Sequence, residues 1–360
     1  MKKLDQTTSP STSLGYSSFA KEENRKSALV KHCLLPFLFL LLALCTEVQA
    51  QQTFRVMSYN VENLFDVQDN PHTNDDEYLP SGSRRWTPKR YRHKLQQIAK
   101  VITAAGEWDS PALIGLCEVE NDSVLINLLN RTPLQQQDYR YCVGTTSDSR
   151  GIRVALFYQR DKFAYIGHSS NPLRHFSKQT RKTRDILHVW GRVISGDTLD
   201  VFVCHFPSRY GGEKESEVFR IDAANTVKQL CDSLQQIRQT PFFIVMGDFN
   251  DTPTDKSLQN VPPFLNNLFA NPKQFLYPGS HKYQGEWSQL DHILVSDKLL
   301  ESNSPVQVKP NSAQLFAPDF LLTKDKTWRG KRPKRTYYGF RYEAGFSDHL
   351  PLLVDLVIRY

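Results

Sequence analysis

A layered α+β sandwich is the fold class this sequence predicts, and three observations predict it. Apolar runs of strand length recur along residues 54–358, several of them in hairpin-like pairs. Only three stretches carry helical periodicity, interposed among those runs. The order of the two kinds of element lacks the strict βαβα alternation that a doubly wound parallel sheet requires.

Phe54 to Ser58 is a short strand running into Tyr59-Asn60-Val61-Glu62-Asn63. A loop rich in Asp, Asn, His, Pro and Gly follows from Asp66 to Ser83. Thr87-Pro88 opens a helix, with Thr as N-cap and Pro at the first helical position. Tyr91, Leu95, Ile98 and Ile102 give that helix one apolar face. Ala112 to Cys117 is a strand ending on Glu118, and Asn121 caps a second helix through Asn130. Strands at Tyr139–Val143 and Val154–Tyr158 flank a Ser/Arg/Gly loop. Ile186–Val193 and Leu199–Cys204 form a hairpin turning at Ser195-Gly196-Asp197, and its second strand ends on His205.

A long helix then carries Val218, Ile221, Ala224, Val227, Leu230, Leu234 and Ile237. Phe242 to Met246 is a buried strand that stops at Gly247-Asp248-Phe249-Asn250, before Asp251-Thr252-Pro253 turns the chain away. On extended backbone Asp248 and Asn250 point the same way while Phe249 points back into the core. Gln289–Val295 is a strand carrying Asp291-His292. The stretch 305–342 is poorly periodic and contains the basic run GKRPKR, and Leu350–Ile358 is the last strand, entered through Ser347-Asp348-His349.

Residues 1–50 read differently. Lys26 and Lys31 precede the apolar run Cys33–Cys45, shorter than the roughly 20 residues of a membrane span. Val48-Gln49-Ala50 is a small-x-small cleavage site, so residues 1–50 are expected to be a signal peptide and 51–360 one large domain. This implies export to the periplasm or medium. A lipoprotein anchor at Cys45 is the alternative, though Leu44 stands where a small residue is wanted. The leader takes six basic and four acidic residues from a net charge of +7, leaving the mature part near +5. That is mildly basic and compatible with a polyanionic partner. Cys117, Cys142, Cys204 and Cys231 remain, without CxxC or metal-ligand spacing, and buried free thiols are expected in a domain of this size.

Asn60, Glu118, His205, Asp248 with Asn250, Asp291, and Asp348 with His349 each sit where a strand ends or turns. Carboxylates with amides are hard-oxygen ligands suited to Mg²⁺, Mn²⁺ or Ca²⁺ rather than zinc. A His beside an Asp suits acid–base work or charge stabilisation on a phosphoryl group. Ser208 and Arg209 follow His205 and are suited to phosphate contact.

SYNVENLF, LCEVEN, VCHFPSRYGG, VMGDFNDTP, SQLDHILVS and GFSDHLPLLVDL, in that order, resemble the motif set of the endonuclease/exonuclease/phosphatase superfamily, over about residues 53–360. The resemblance implies a four-layered sandwich of two mainly antiparallel sheets flanked by helices, as in deoxyribonuclease. It implies hydrolysis of a phosphoester with Mg²⁺. Glu118 matches the main metal ligand, with Asn60 close by in that shell, and Asp348 matches the metal-side neighbour of His349. Asp248 and Asn250 match the pair that activates water and holds phosphate. Asp291 matches the acid beside the terminal histidine, His349, which binds the scissile phosphate. His205 matches the second histidine of the deoxyribonuclease and sphingomyelinase branches, and Arg184 a phosphate-contacting arginine. The stretch DSRGIRVALFY offers no clear match for the acid that partners that second histidine. Nucleic acid is the first expected substrate and a small, inositol or lipid phosphoester the second. No stable protein partner is implied, and a monomer is expected.

Overall fold

The computed structural model describes residues 53–177 and 179–359. The expected signal peptide and the anchor at Cys45 lie outside the described residues. Two sheets dominate. The first holds β1 (Thr53–Leu64), β2 (Leu113–Val119), β3 (Tyr139–Val143) and β4 (Arg153–Gln159). The second holds β5 (Ala164–Asn171), β6 (Ile186–Arg192), β7 (Thr198–His205), β8 (Phe242–Asp248), β9 (Leu265–Asn267) and, after the hairpin β10 (His281–Tyr283)–β11 (Glu286–Ser288), β12 (Asp291–Ser296). β13 (Val306–Val308) and β14 (Gln314–Leu315) belong to the first sheet. Two small hairpins follow, β15 (Leu322–Lys324) with β16 (Lys331–Pro333) and β17 (Tyr337–Tyr338) with β18 (Arg341–Tyr342), and then β19 (Leu352–Ile358). The strand orders are β13-β19-β1-β2-β4-β3, with β14 also on β19, and β5-β6-β7-β8-β12-β9.

Each sheet is antiparallel except at its centre. β1 and β2 are parallel, and so are β7 and β8. Parallel neighbours cannot be joined by a tight turn and need a crossover. The crossovers are α1 (Pro88–Gly106) in the first sheet and α3 (Glu213–Ile237) in the second. Each lies on the outer face of its own sheet. α1, with α2 (Asp122–Asn130) beside it, buries Tyr91, Leu95, Ile98 and Ile102, the face its periodicity predicts. Thr87 caps α1 by accepting from the Arg90 N–H at 3.4 Å, and Asn121 caps α2 by accepting from the Val124 N–H at 3.1 Å.

The alternation of β8 sets the layers. Phe242, Ile244 and Met246 face the first sheet, while Phe243 and Val245 pack with Phe202, Cys204, Ala223, Ala224, Val227 and Cys231 against α3. The layer order is therefore helices, sheet, sheet, helix, the four-layered sandwich expected. The sheets approach closely at Gly115, where a Cβ would stand 3.0 Å from the Met246 Sδ.

One expectation is corrected, and two features were not foreseen. The buried stripe of α3 runs through Ser216, Arg220, Ala223, Ala224, Val227 and Cys231, and Ile237 is exposed. This face carries Arg220 inward to an ion pair with Asp251 at 2.6 Å. β5 was not expected, since an exposed edge strand shows no apolar alternation. The stretch 305–342 is ordered into strands and hairpins too short for periodicity to register. The four cysteines are free and buried, as expected. Among the described residues no helix is long and apolar enough to cross a membrane.

Candidate active site

The two parallel pairs explain why distant residues meet. Parallel strands end at the same edge: the regular pairing of β1 with β2 stops at Asn60, β2 ends one residue past Glu118, and β7 and β8 end on His205 and Asp248. His205 and Asp248 are register partners across β7 and β8, and Asp291, the first residue of β12, is the register partner of Asp248. Asp348 and His349 precede β19, the antiparallel neighbour of β1. Ligands of open α/β sheets bind beyond the carboxyl ends of such strands.

The backbone at this mouth is not regular. Glu62 (φ 54°), Asn63 (φ 52°), Glu118 (φ 65°) and Asn250 (φ 50°) are left-handed, and register shifts interrupt β1/β2 after Asn60 and β2/β4 after Cys117. Non-glycine residues held this way gather at functional sites, and bulges re-aim side chains there. Gly247, at φ 140°, is required in β8, because a Cβ would stand 1.9 Å from the Cys204 carbonyl oxygen.

Asn60 is the hub. Its Oδ1 accepts the Glu62 N–H at 3.0 Å, a role only the oxygen can fill. Its Nδ2 therefore faces two carboxylates, donating to Asp248 Oδ2 at 3.0 Å and Glu118 Oε1 at 3.3 Å. This geometry makes Asn60 a group that positions both acids and turns its donor, not its acceptor, toward them. Glu118 Oε2 also accepts the Asn63 N–H at 2.8 Å. His205 Nε2 lies 3.6 Å from Asp248 Oδ2 and 3.9 Å from Glu118 Oε1, and its buried Nδ1 has no partner among the described residues. His349 Nδ1 meets Asp291 Oδ2 at 2.6 Å, and its Nε2 lies 3.9 Å from Asp248 Oδ2. Ser280 Oγ donates to the same Asp291 oxygen at 2.5 Å.

Burial acts differently on the three titrating groups. It pushes the Asp248 carboxyl up to about 7, with nearby Asp291 adding to the effect against the attraction of His349. Burial also acts to lower His349, but Asp291 and Asp248 outweigh it and hold the imidazolium well above the ordinary range. His205 is driven well below that range by burial, helped by Arg184, Arg150 and His349, so it is neutral. A neutral imidazole, an imidazolium and a carboxyl near its midpoint thus share one mouth.

Four expected residues are placed otherwise. Asn250 turns out of extended backbone, so its side chain does not follow Asp248. Its N–H donates to Asp248 Oδ1 at 2.9 Å, and its Nδ2 to the Phe206 carbonyl at 3.0 Å. Arg184 is buried, donating to the Phe206 carbonyl at 2.7 Å and to Asp148 Oδ2 at 3.0 Å. Asp148 lies in the DSRGIRVALFY stretch and pairs with Arg184 rather than with His205. Arg209, expected to face phosphate, is already neutralised by Glu213 at 2.7 Å, Asp255 at 2.9 Å and Asp251 at 3.4 Å. Ser208 is half-buried, and its carbonyl accepts from Arg181 at 3.5 Å.

Sequence reasoning missed His281, Ser280, Glu62, Lys94 and Arg335. His281 stacks on His349 with ring centroids 4.7 Å apart, and its Nε2 lies 4.0 Å from Asp348 Oδ2. Arg335, the last residue of the GKRPKR run, turns inward to Asp348 at 2.5 Å. His281 sits in a three-residue strand that carries no pattern, whereas Glu62 was in view within YNVENLF.

The sequence profile described as "Endonuclease/Exonuclease/phosphatase family" matches residues 55–358. Solved structures similar to the chain include an endonuclease/exonuclease/phosphatase family protein from Bacteroides thetaiotaomicron, at 18% identity and TM-score 0.54, covering 85% of this chain and 95% of that one. The human Nocturnin catalytic domain with bound sulfate is similar at 18% identity and TM-score 0.53, covering 84% and 93%. A mannosyl-6-phosphatase from Bacteroides thetaiotaomicron is similar at 19% identity and TM-score 0.53, covering 85% and 100%. At these identities the likeness is one of fold. No curated protein sequence matches the chain.

Proposed function

The chain belongs to the endonuclease/exonuclease/phosphatase family, whose members hydrolyse phosphoesters, and from that premise we propose that it is an exported, divalent-metal-dependent phosphodiesterase acting on nucleic acid. The observation that carries the hydrolytic reading is the meeting of Asp248, His349–Asp291 and His205 at one mouth. Asp248, near its midpoint at neutral pH, takes a proton from the attacking water. The Asn250 N–H and the Asn60 amide fix its two oxygens. His349, held protonated by Asp291, offers its Nε2 proton to charge that develops on a phosphoryl oxygen. His205, neutral, donates from one ring nitrogen without adding a cation.

Glu118 would hold the metal. Its carboxylate is partly exposed and is met by neutral donors from Asn60 and Asn63, and the neighbouring Cys117 thiol turns inward to the Cys204 carbonyl at 3.3 Å. Such an oxygen donor fits Mg²⁺, with Mn²⁺ and Ca²⁺ as the other hard cations. When bound, the ion supplies Lewis-acid polarisation of the phosphoryl group.

The mildly basic charge of residues 51–360 supports nucleic acid as substrate. A second reading, a phosphatase for small phosphomonoesters, draws on the mannosyl-6-phosphatase among the structural relatives. DNA, RNA, bis-p-nitrophenyl phosphate and sugar, inositol and lipid phosphates, each at about 50 and 200 mM salt, separate the two. The nuclease reading expects turnover of polynucleotide with affinity falling steeply over that interval. Turnover of monoesters alone overturns it, and activity that survives excess EDTA overturns the metal dependence.

A further inference from the structure

Asp348 stands beside His349, at the position where the family resemblance implies a metal-side carboxylate. In this chain the carboxylate already has a cation. Arg335 Nη2 donates to Asp348 Oδ2 at 2.5 Å, and Nε of the same guanidinium donates to Glu62 Oε1 at 3.4 Å. The planar fork of an arginine suits a bridge between two carboxylates better than the point charge of a lysine would. Glu62 is buried, takes the Thr336 N–H on its other oxygen at 2.6 Å, and has Lys94 Nζ at 3.9 Å. Lys94 is buried too and donates to Thr336 Oγ1 and the Phe346 carbonyl, each at 2.6 Å. Two carboxylates and two fixed cations thus form one internally neutral group.

Arg335 is held in place by its backbone. The Lys334 N–H donates to the Leu321 carbonyl at 2.7 Å, and the Lys334 carbonyl accepts from Phe346 at 2.6 Å. Gly345 lets the two segments pass, since a Cβ there would meet the Lys334 and Arg335 carbonyl oxygens at 2.0 and 2.2 Å. Among the described residues no guanidinium or ammonium touches Glu118: its contacts are the Asn60 amide, the Asn63 N–H and His205 Nε2 at 3.9 Å. A divalent ion brought to Asp348 would meet a guanidinium already in contact with the carboxylate, whereas one brought to Glu118 would meet a carboxylate that Arg335 and Lys94 act on only through space.

The geometry points to Arg335 standing in the place of a second cation. It neutralises Asp348 and Glu62 from within the chain, so that the mouth takes one divalent ion, at Glu118, and Asp348 is not a ligand. This rests on the proposed metal dependence.

Calorimetric titration of the purified protein with Mn²⁺, with the thermal midpoint followed in parallel, tests it. The wild type is expected to bind one Mn²⁺ per chain. Arg335→Gln is expected to bind a second, or to gain more in thermal midpoint on adding Mn²⁺ than the wild type does. Asp348→Asn is expected to keep one Mn²⁺ within about threefold of the wild-type affinity, and this holds whether or not Arg335→Gln folds. Two ions in the wild type, a tenfold or greater loss of affinity in Asp348→Asn, or an Arg335→Gln protein with the wild-type count and wild-type thermal response, each overturns the inference. No Mn²⁺ binding by the wild type, or undiminished binding by Glu118→Gln, instead overturns the underlying metal reading.

Discussion

Replacing Asp248 by Asn should make the protein both slower and more stable, and the two changes have one cause. The carboxyl is buried, and burial raises it from 3.8 to about 7. Holding it ionised above that pH therefore costs the fold roughly 4 kcal/mol. The attraction of His349, whose Nε2 lies 3.9 Å away, is already contained in that raised value. Asn keeps the shape and one acceptor but leaves Asn60 Nδ2 or the Asn250 N–H facing an amide donor. That loss is about 1–3 kcal/mol, so a net gain of about 1–3 kcal/mol is expected. For a domain this large that is about 2–6 °C in thermal midpoint. The sign depends on pH. A carboxyl whose folded value lies above its unfolded value binds more protons in the fold, so stability falls as pH rises from about 4 to about 7. The gain in Asp248→Asn should accordingly be absent near pH 4 and complete near pH 8. Thermal unfolding in EDTA at both pH values measures it, and kcat with added metal on the same preparation should fall at least about 100-fold. A variant that melts earlier than the wild type at pH 8, or keeps its rate, refutes the assignment of Asp248 as a strained general base.

His349→Ala should cut kcat at least about 100-fold while the protein stays folded; a less stable variant with full specific activity would remove His349 from the reaction. Asp200, buried in β7, accepts from His188 at 2.8 Å and from Arg238 twice at 2.8 Å. Burial opposes its ionisation, but these donors outweigh it and hold the carboxyl below the ordinary range. Its stabilisation is then present above the unfolded value and lost as pH falls through the folded one. Asp200→Asn should cost about 1.5–3 kcal/mol in urea unfolding at pH 7 and progressively less toward acid pH. N-terminal sequencing of exported protein should begin near Gln51, and retention of the Met1 segment would reject the cleavable leader.

The parts of the site legible in the sequence are those whose place follows from a strand's end. An apolar run fixes where β8 is, and the polar residue that closes it must then lie at the sheet's edge. Asp248, Glu118 and His205 were found this way, and the family resemblance supplied their roles. What strand logic does not carry is direction beyond the edge. Asn250 leaves extended backbone at φ 50°, so alternation says nothing of its side chain, which finds the Phe206 carbonyl. Arg209 looked free because three of its four acceptors, the Asn250 carbonyl, Asp251 and Asp255, lie 41 to 46 positions further along the chain and only folding brings them to it.

Charge pairing explains the remaining gap and its asymmetry. Acids at the mouth are recognised singly, by position, but their cations arrive from elsewhere: Arg335 meets Glu62 across 273 positions, from a stretch without periodicity. A basic run such as GKRPKR reads as a solvated or phosphate-tracking surface because composition counts its charges without their partners. In the fold, Arg332 pairs with Glu343 at 2.7 Å, Lys331 with Asp319 at 2.6 Å and Arg335 with Asp348 at 2.5 Å. Most of the run's positive charge is thereby paired with acids of the same chain. Under the proposed function, phosphate affinity at this mouth is therefore expected to draw on His349 and a bound cation more than on the run, and substrate binding should depend on metal more than on the number of lysines and arginines near the site.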